Sequence, residues 1–381
     1  MSICTETLEQ FKHFLSEKSL FNTNEKWGIL TDSTSAQIIQ TIAKSNGISC
    51  IVLPTDEISN LKNEICNHQI NTLFISSQWI QAANLLQWEC PSFHTYVCIG
   101  VENPHSLEEI QPNQLMNPSL WDIINRRAKN NISAGGWFSS YTGKPFSQQE
   151  MDEYIFNIKQ KLLPHLSKTM DILEIGCASG LTMYELSPFV RTYTGIDMSK
   201  KMIEQNRLFI KKQELTNIRV LCLKADEIDQ LSPQKFNVLV MNSVSQYFHG
   251  FNYLRDVLKK MISLVPETGV LFIGDVMDLK QKENLINSIK KFQKNTSEIQ
   301  YRNNTQFENE LFIPREFFDD FQIECGEVIE DVLISDKIGS ISNELRNFRY
   351  DVILKVNKSK RKIKVNHSKQ KKQYGYTFKS L

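Results

Sequence analysis

The stretch DILEIGCASGLT, residues 171–182, holds the residues of this chain best suited to grip a ligand. Gly176, Ala178 and Gly180 stand two apart after an apolar run, with Glu174 just before them. Small residues in the turn after a strand let a ligand approach the backbone closely. A dinucleotide fingerprint would read G-x-G-x-x-G, and the spacing here is one residue shorter. Asp197 ends the next apolar run, TYTGID, 21 residues after Gly176. A carboxylate at that strand end can accept hydrogen bonds from both hydroxyls of a ribose. Asp226 follows the third run, VLCLKAD, where it either meets an adenine amino group or caps the next turn. Three such strand ends in a row describe a nucleoside site at the carboxyl edge of an open α/β sheet.

The elements that must position these residues follow from hydrophobic periodicity. Strands are expected at 170–176, 191–197, 218–224, 236–242, 269–275, about 323–332 and 348–356, with helices between the first five. The last two lie close enough for a terminal antiparallel hairpin. The segment SQQEMDEYIFNIKQKLL reads as a helix with a capping box, Ser147 facing Glu150. This gives a Rossmann-like, seven-stranded α/β sheet. Further upstream, WGILTD, SCIVLP, NTLFIS and TYVCIG alternate with amphipathic stretches, a smaller Rossmann-like α/β unit. Its first turn, TDSTSA, has no glycine, so it should bind no dinucleotide. The expected organisation is a helical segment over 1–20, the small α/β domain over 21–105, a proline-bearing linker over 106–119, the larger domain over 120–356, and a tail over 357–381.

Composition fits a globular, cytoplasmic protein: 41% hydrophobic and 23% charged residues, with charges where a signal peptide would be apolar. The eight cysteines form no C-x-x-C pair and read as reduced thiols, so no metal is expected. The net charge of +1 conceals an asymmetry. From Lys355 onward there are ten basic residues and no acid, while the other 34 bases face 43 acids, leaving −9. The tail reads as a solvated end or as a docking segment for an acidic partner such as a carrier protein. No run is long enough to span a membrane, and nucleic acid is not the expected partner.

The ordered set Glu174, Gly176, Ala178, Gly180 and Asp197 resembles class I S-adenosylmethionine-dependent methyltransferases, with alanine at the middle glycine of their loop. The segments GGWFSSYTGKPFSQQEMDEY (135–154), LEIGCASGLTMYELSPFVRTYTGIDMS (173–199), NVLVMNSVSQYFHGFNYL (237–254), GVLFIGDV (269–276) and NELRNFRYDVIL (343–354) are similar, in the same order, to methyltransferase domains of nonribosomal peptide synthetases. The resemblance covers about residues 120–356. It implies S-adenosyl-L-methionine as cofactor, with Asp197 on the ribose, Met198 packed on adenine and Asp226 at the adenine amino group. It also implies an aminoacyl or peptidyl amine, held on a carrier protein, as the group that is N-methylated.

For catalysis, Asn242 at the end of the fourth strand could orient the donor's amino acid group or the substrate. Tyr247 is a candidate hydrogen bonder to the substrate or a core aromatic. Trp137 and Tyr141 could close as a lid that excludes water. Glu344 is a conceivable amine base, or an ion-pair partner of Arg349, and His249 reads as a loop histidine. The chain is thus expected to be a free-standing methyltransferase. O- or C-methylation of a small metabolite, and a non-catalytic scaffold in a biosynthetic assembly, remain open alternatives.

Overall fold

The computed structural model describes residues 5–54, 58–101, 113–295, 307, 310–359 and 374–378. They fall into two compact units, one within 1–112, 250–252 and 366–381, the other within 113–249 and 253–365.

In the first unit, β1 (Lys26–Leu30), β2 (Ser49–Val52), β3 (Thr72–Ser76) and β4 (Thr95–Ile99) are parallel. Helices α1 (Thr5–Glu17), α2 (Ser33–Ser45), α3 (Ile58–His68) and α4 (Ile80–Glu89) accompany them. Asp32 caps α2 by accepting from the N–H groups of Thr34 and Ser35, which is how this glycine-free turn uses its polar residue. The tail departs from the sequence expectation. Residues Tyr374–Phe378 form a further strand, the last in the chain, parallel to β4 at the sheet edge. Phe378 packs on Phe11 of α1 with ring centroids 4.7 Å apart, and Gly375 is required because a side chain there would strike the Tyr96 hydroxyl. Composition hid this strand, because the basic run before it dominates the charge count while YGYTF itself is apolar and aromatic.

The second unit begins inside the segment expected as a linker. Residues 113–119 form a short turn and the start of α5 (Pro118–Arg127), which Asn117 caps. After α6 (Asn131–Ala134) and α7 (Gln148–Leu162) comes the larger sheet: β5 (Asp171–Ile175), β6 (Thr192–Asp197), β7 (Ile218–Cys222), β8 (Val238–Asn242), β9 (Thr268–Met277), β10 (Ile329–Asp336) and β11 (Arg349–Asn357). The strand order is β10-β11-β9-β8-β5-β6-β7. β5 to β9 pair in parallel, and β11 runs antiparallel to both β9 and β10. The capping box on α7 forms as expected, with reciprocal Ser147 and Glu150 bonds.

One strand is displaced from its expected place. Residues Glu316–Cys325 are helical and β10 starts only at Ile329. Phe317, Phe318 and Phe321 repeat at helical spacing and are fully buried, whereas β10 is a half-exposed edge strand with a weak pattern.

Candidate active site

Strand order reverses between β5 and β8, and the crevice of an open α/β sheet opens at such a point, beyond the carboxyl ends of the strands. A cleft of about 770 Å³, its open mouth included, lies there. Its floor includes Gly176 and Ala178 of the loop after β5. Gly176 and Gly180 have φ of 73° and 83°, and a side chain on Gly176 would collide with Val244. Ala178 also sits in the left-handed region, at φ 42°. That conformation costs an L-residue about 1–2 kcal/mol. Ala178→Gly is therefore expected to gain about 0.5–1 kcal/mol after the entropy of the extra glycine is subtracted. Denaturant unfolding measures it, and a loss of stability would contradict the strain.

Asp197 closes one end of the floor. Its carboxylate accepts from Ala178 N–H at 3.0 Å and Ser199 N–H at 2.8 Å, and burial raises its pKa. A carboxylate offers about four lone-pair positions, so two remain for a ligand. Met198 lies beside it, followed along the wall by Leu223, Lys224 and Ala225 after β7. The opposite wall comes from the end of β8 and the segment after it: Asn242, Ser243, Val244, Tyr247 and Phe248. Gly135, Gly136 and Trp137 face it, and Met116 and Trp121 complete the mouth.

Several residues expected at the site point elsewhere. Glu174 is 3% exposed and accepts from the Tyr193 hydroxyl at 3.1 Å, and burial raises its pKa to about 8. Unfolded, the group ionises near 4.5, so the native state loses stability as pH rises from about 4.5 to 8. Glu174→Gln should remove that slope and add on the order of 2–4 kcal/mol by pH 8. Unfolding curves at pH 5 and 8 that shift equally in the two proteins would refute it.

Asp226 accepts from the Tyr253 hydroxyl at 2.9 Å and does not line the cleft. Glu344, 2% exposed, accepts from both the N–H and the hydroxyl of Ser140, so it braces that loop and is not placed as an amine base. Arg349 makes its ion pair with Asp275 at 2.5 Å, and the expected partner Glu344 acts on it through charge as well. Tyr141 leaves the cleft, its hydroxyl bonded to Ser288 at 2.8 Å and its ring against Phe292. Gly180 serves as the N-cap of the helix Leu181–Leu186. His249 accepts from the N–H of Asn113 at 2.9 Å, which ties down the segment leading to α5.

Asn242 does line the cleft, but its amide nitrogen donates to the buried Tyr154 hydroxyl at 2.6 Å. Its Oδ1 has no partner among the described residues, nor does the Ser179 hydroxyl in the floor loop. Tyr247 stands half-buried, burial raising its pKa while Arg349 opposes the shift. The ionisable side chains among the lining residues are Asp197, Lys224 and Tyr247. No metal-binding cluster and no helix able to cross a membrane occur among the described residues.

A family profile described as "Methyltransferase domain" matches residues 166–377. The chain belongs to this family. The methyltransferase is 32% identical over 228 residues to chondramide synthase cmdD of Chondromyces crocatus, a match covering 58% of this chain and 6% of that protein. It is 27% identical over 238 residues to enniatin synthetase of Fusarium oxysporum, covering 58% of this chain and 7% of that protein. It thus spans a small fraction of the length of these relatives. Among solved structures, the N-methyltransferase NodS of Bradyrhizobium japonicum with S-adenosylhomocysteine shares 14% identity, with a TM-score of 0.41, over 63% of this chain and 98% of that one.

The methyltransferase uses S-adenosyl-L-methionine, and its cleft suits that molecule. A carboxylate with spare lone pairs beside a side-chain-free Gly176 matches a ligand bearing ribose hydroxyls. Sequence reasoning missed Met116, Trp121, Leu223, Lys224, Ala225 and Phe248. A signal for Trp121 existed in NPSLWDIINRR, a capped helix start with proline at its first turn.

Proposed function

We propose that this methyltransferase N-methylates an aminoacyl or peptidyl amine presented on a carrier protein, as a free-standing enzyme. The observation that carries the reading is where the synthetase-like segments fall. GGW (135–137) and NSVSQYF (242–248) supply eight of the cleft-lining residues. Asp197 accepts the ribose hydroxyls, the 176–180 loop borders the donor's amino acid end, and Met198 with Leu223 flanks the base. The donor supplies a methyl group on a positive sulfur, already activated for in-line displacement.

What remains for the protein is placement, worth up to about 7–11 kcal/mol, and exclusion of water. Trp137, packed edge-on against Tyr154 with centroids 4.6 Å apart, is a fixed wall for that purpose. The lining residues hold no free carboxylate or imidazole to serve as base. The acceptor amine therefore sheds its proton before attack. An α-amino group has a pKa of about 7.7–8.0, and an apolar cleft lowers it further. Docking of the carrier through the basic residues beyond Asn357 belongs to the same proposal.

The test incubates the protein with isotope-labelled S-adenosylmethionine and a panel of aminoacylated carrier proteins, followed by intact-protein mass spectrometry. The expected product is a carrier-bound residue one methyl heavier, with the label on nitrogen after fragmentation. Label on oxygen or carbon, or methylation of free metabolites alone, would overturn the reading.

A further inference from the structure

Helix α5 lies outside the span matched by the methyltransferase family profile. It nevertheless brings Trp121 to the cleft. Asp122 accepts from the Ser199 hydroxyl at 2.6 Å, and Ser199 N–H in turn bonds Asp197. Asn125 donates to Gln205 at 2.8 Å. One side of α5 is thereby anchored at the β6 end, where the donor's nucleoside would lie. Its other contact is on the far half of the sheet. Trp121 meets the Tyr247 ring edge-on at 5.0 Å, and Tyr247 feels the charges of Asp275 at β9 and Arg349 on β11. The helix therefore spans the crevice, and Trp121 stands over the half not used by the nucleoside.

Its chemistry there is restricted. The indole N–H is committed to the Leu115 carbonyl at 2.7 Å, so the ring offers hydrocarbon to the cleft. Gly136, at φ 77°, makes room for it, since a side chain there would come within 2.9 Å of the indole. Met116, Val244 and Phe248 add further apolar surface. Three charged groups act on Tyr247, namely Arg349, Glu310 and Asp275, and of these Arg349 and Asp275 are paired with each other at 2.5 Å.

We infer that Trp121, with Tyr247 and Met116, forms the acceptor wall of the methyltransferase and selects an aminoacyl group bearing an apolar side chain. The inference rests on the aminoacyl acceptor of the proposed function and adds its side-chain class. An acidic side chain would sit against this wall without a partner and be rejected. An apolar one gains contact, and discrimination of roughly 10- to 200-fold is typical of such pockets.

The experiment uses the full chain saturated with S-adenosylhomocysteine and stable amide analogues of aminoacyl-pantetheine carrying leucine, phenylalanine, serine or aspartate. Calorimetry should give the leucyl and phenylalanyl analogues at least about tenfold tighter binding than the aspartyl analogue. In Trp121→Ala the preference should shrink below about threefold, while affinity for S-adenosylhomocysteine stays within about threefold of wild type. Trp121→Phe, which keeps an apolar ring, should retain most of the preference and serves if the alanine variant fails to fold. A wild type without preference overturns the inference, as does an alanine variant that loses S-adenosylhomocysteine affinity yet keeps its preference. If preference holds but no N-methylated carrier product forms, the reaction class fails and the wall stands. If the product forms without preference, the reverse is true.

Discussion

Asp197→Ala is expected to weaken binding of S-adenosylmethionine by at least about a hundredfold. The carboxylate already receives the N–H groups of Ala178 and Ser199, which fix its orientation before any ligand arrives. Two ribose hydroxyls donating to its remaining lone pairs contribute roughly 1.5–3 kcal/mol each, and both are lost together. Asp197→Asn keeps the shape and one acceptor oxygen, so it should fall between the two. Titration calorimetry with S-adenosylhomocysteine measures the effect without requiring an acceptor. A melting curve for each variant accounts for the lost loop and helix caps. A dissociation constant for the alanine variant within threefold of wild type would remove Asp197 from the donor site.

The second large effect concerns stability. Asp351 on β11 is fully buried and accepts from Lys161 at 2.7 Å, Lys337 at 3.0 Å, Asn157 at 2.8 Å and the Asp275 N–H at 2.7 Å. Lys161 and Lys337 are themselves 8% and 3% exposed. Asp351→Ala leaves two buried cations short of a partner, and breaking a buried pair in this way costs about 3–5 kcal/mol. That is a large share of the roughly 5–15 kcal/mol that holds a typical domain together. Adding Lys337→Met should recover part of the loss, because in the alanine variant Lys337 keeps only Asp275, at 3.4 Å, as a carboxylate partner.

The pH dependence has a definite sign. Burial alone would raise the Asp351 carboxyl, but Lys337 and Lys161 outweigh it and hold the group below its ordinary 3.8. Its stabilisation is thus complete above the unfolded-state pKa and drains away as pH falls through the native one. Urea unfolding at pH 7 and pH 3 should show the variant's deficit narrowing in acid. A constant deficit would mean that packing, not charge, is what Asp351 contributes.

The sequence displayed the parts of the site that belong to the backbone path. The two-apart spacing of Gly176, Ala178 and Gly180, and Asp197 at the next strand end, are set by the strand–turn–helix geometry that apolar periodicity reports. The structure brings Gly176, Ala178 and Asp197 to one cleft, while Gly180 caps the helix that follows. Side-chain direction was not legible in the same way. Asp226, Glu344 and Tyr141 each sit at a suitable place in the chain but are claimed by Tyr253, Ser140 and Ser288, partners tens to hundreds of residues away. Arg349 likewise found Asp275, whose own conformation, at φ 59°, has no sequence signature. The linker expected over 106–119 concealed Met116 because prolines outweighed the helix start at Pro118.

The strand Tyr374–Phe378 completes a sheet whose other members lie before residue 100. During synthesis β1 to β4 leave the ribosome more than 270 residues before their last neighbour is made. Until then β4 presents open N–H and C=O groups beside Phe11 and Phe14 of α1, the kind of edge that recruits other chains. The first unit to emerge is therefore the last to be finished.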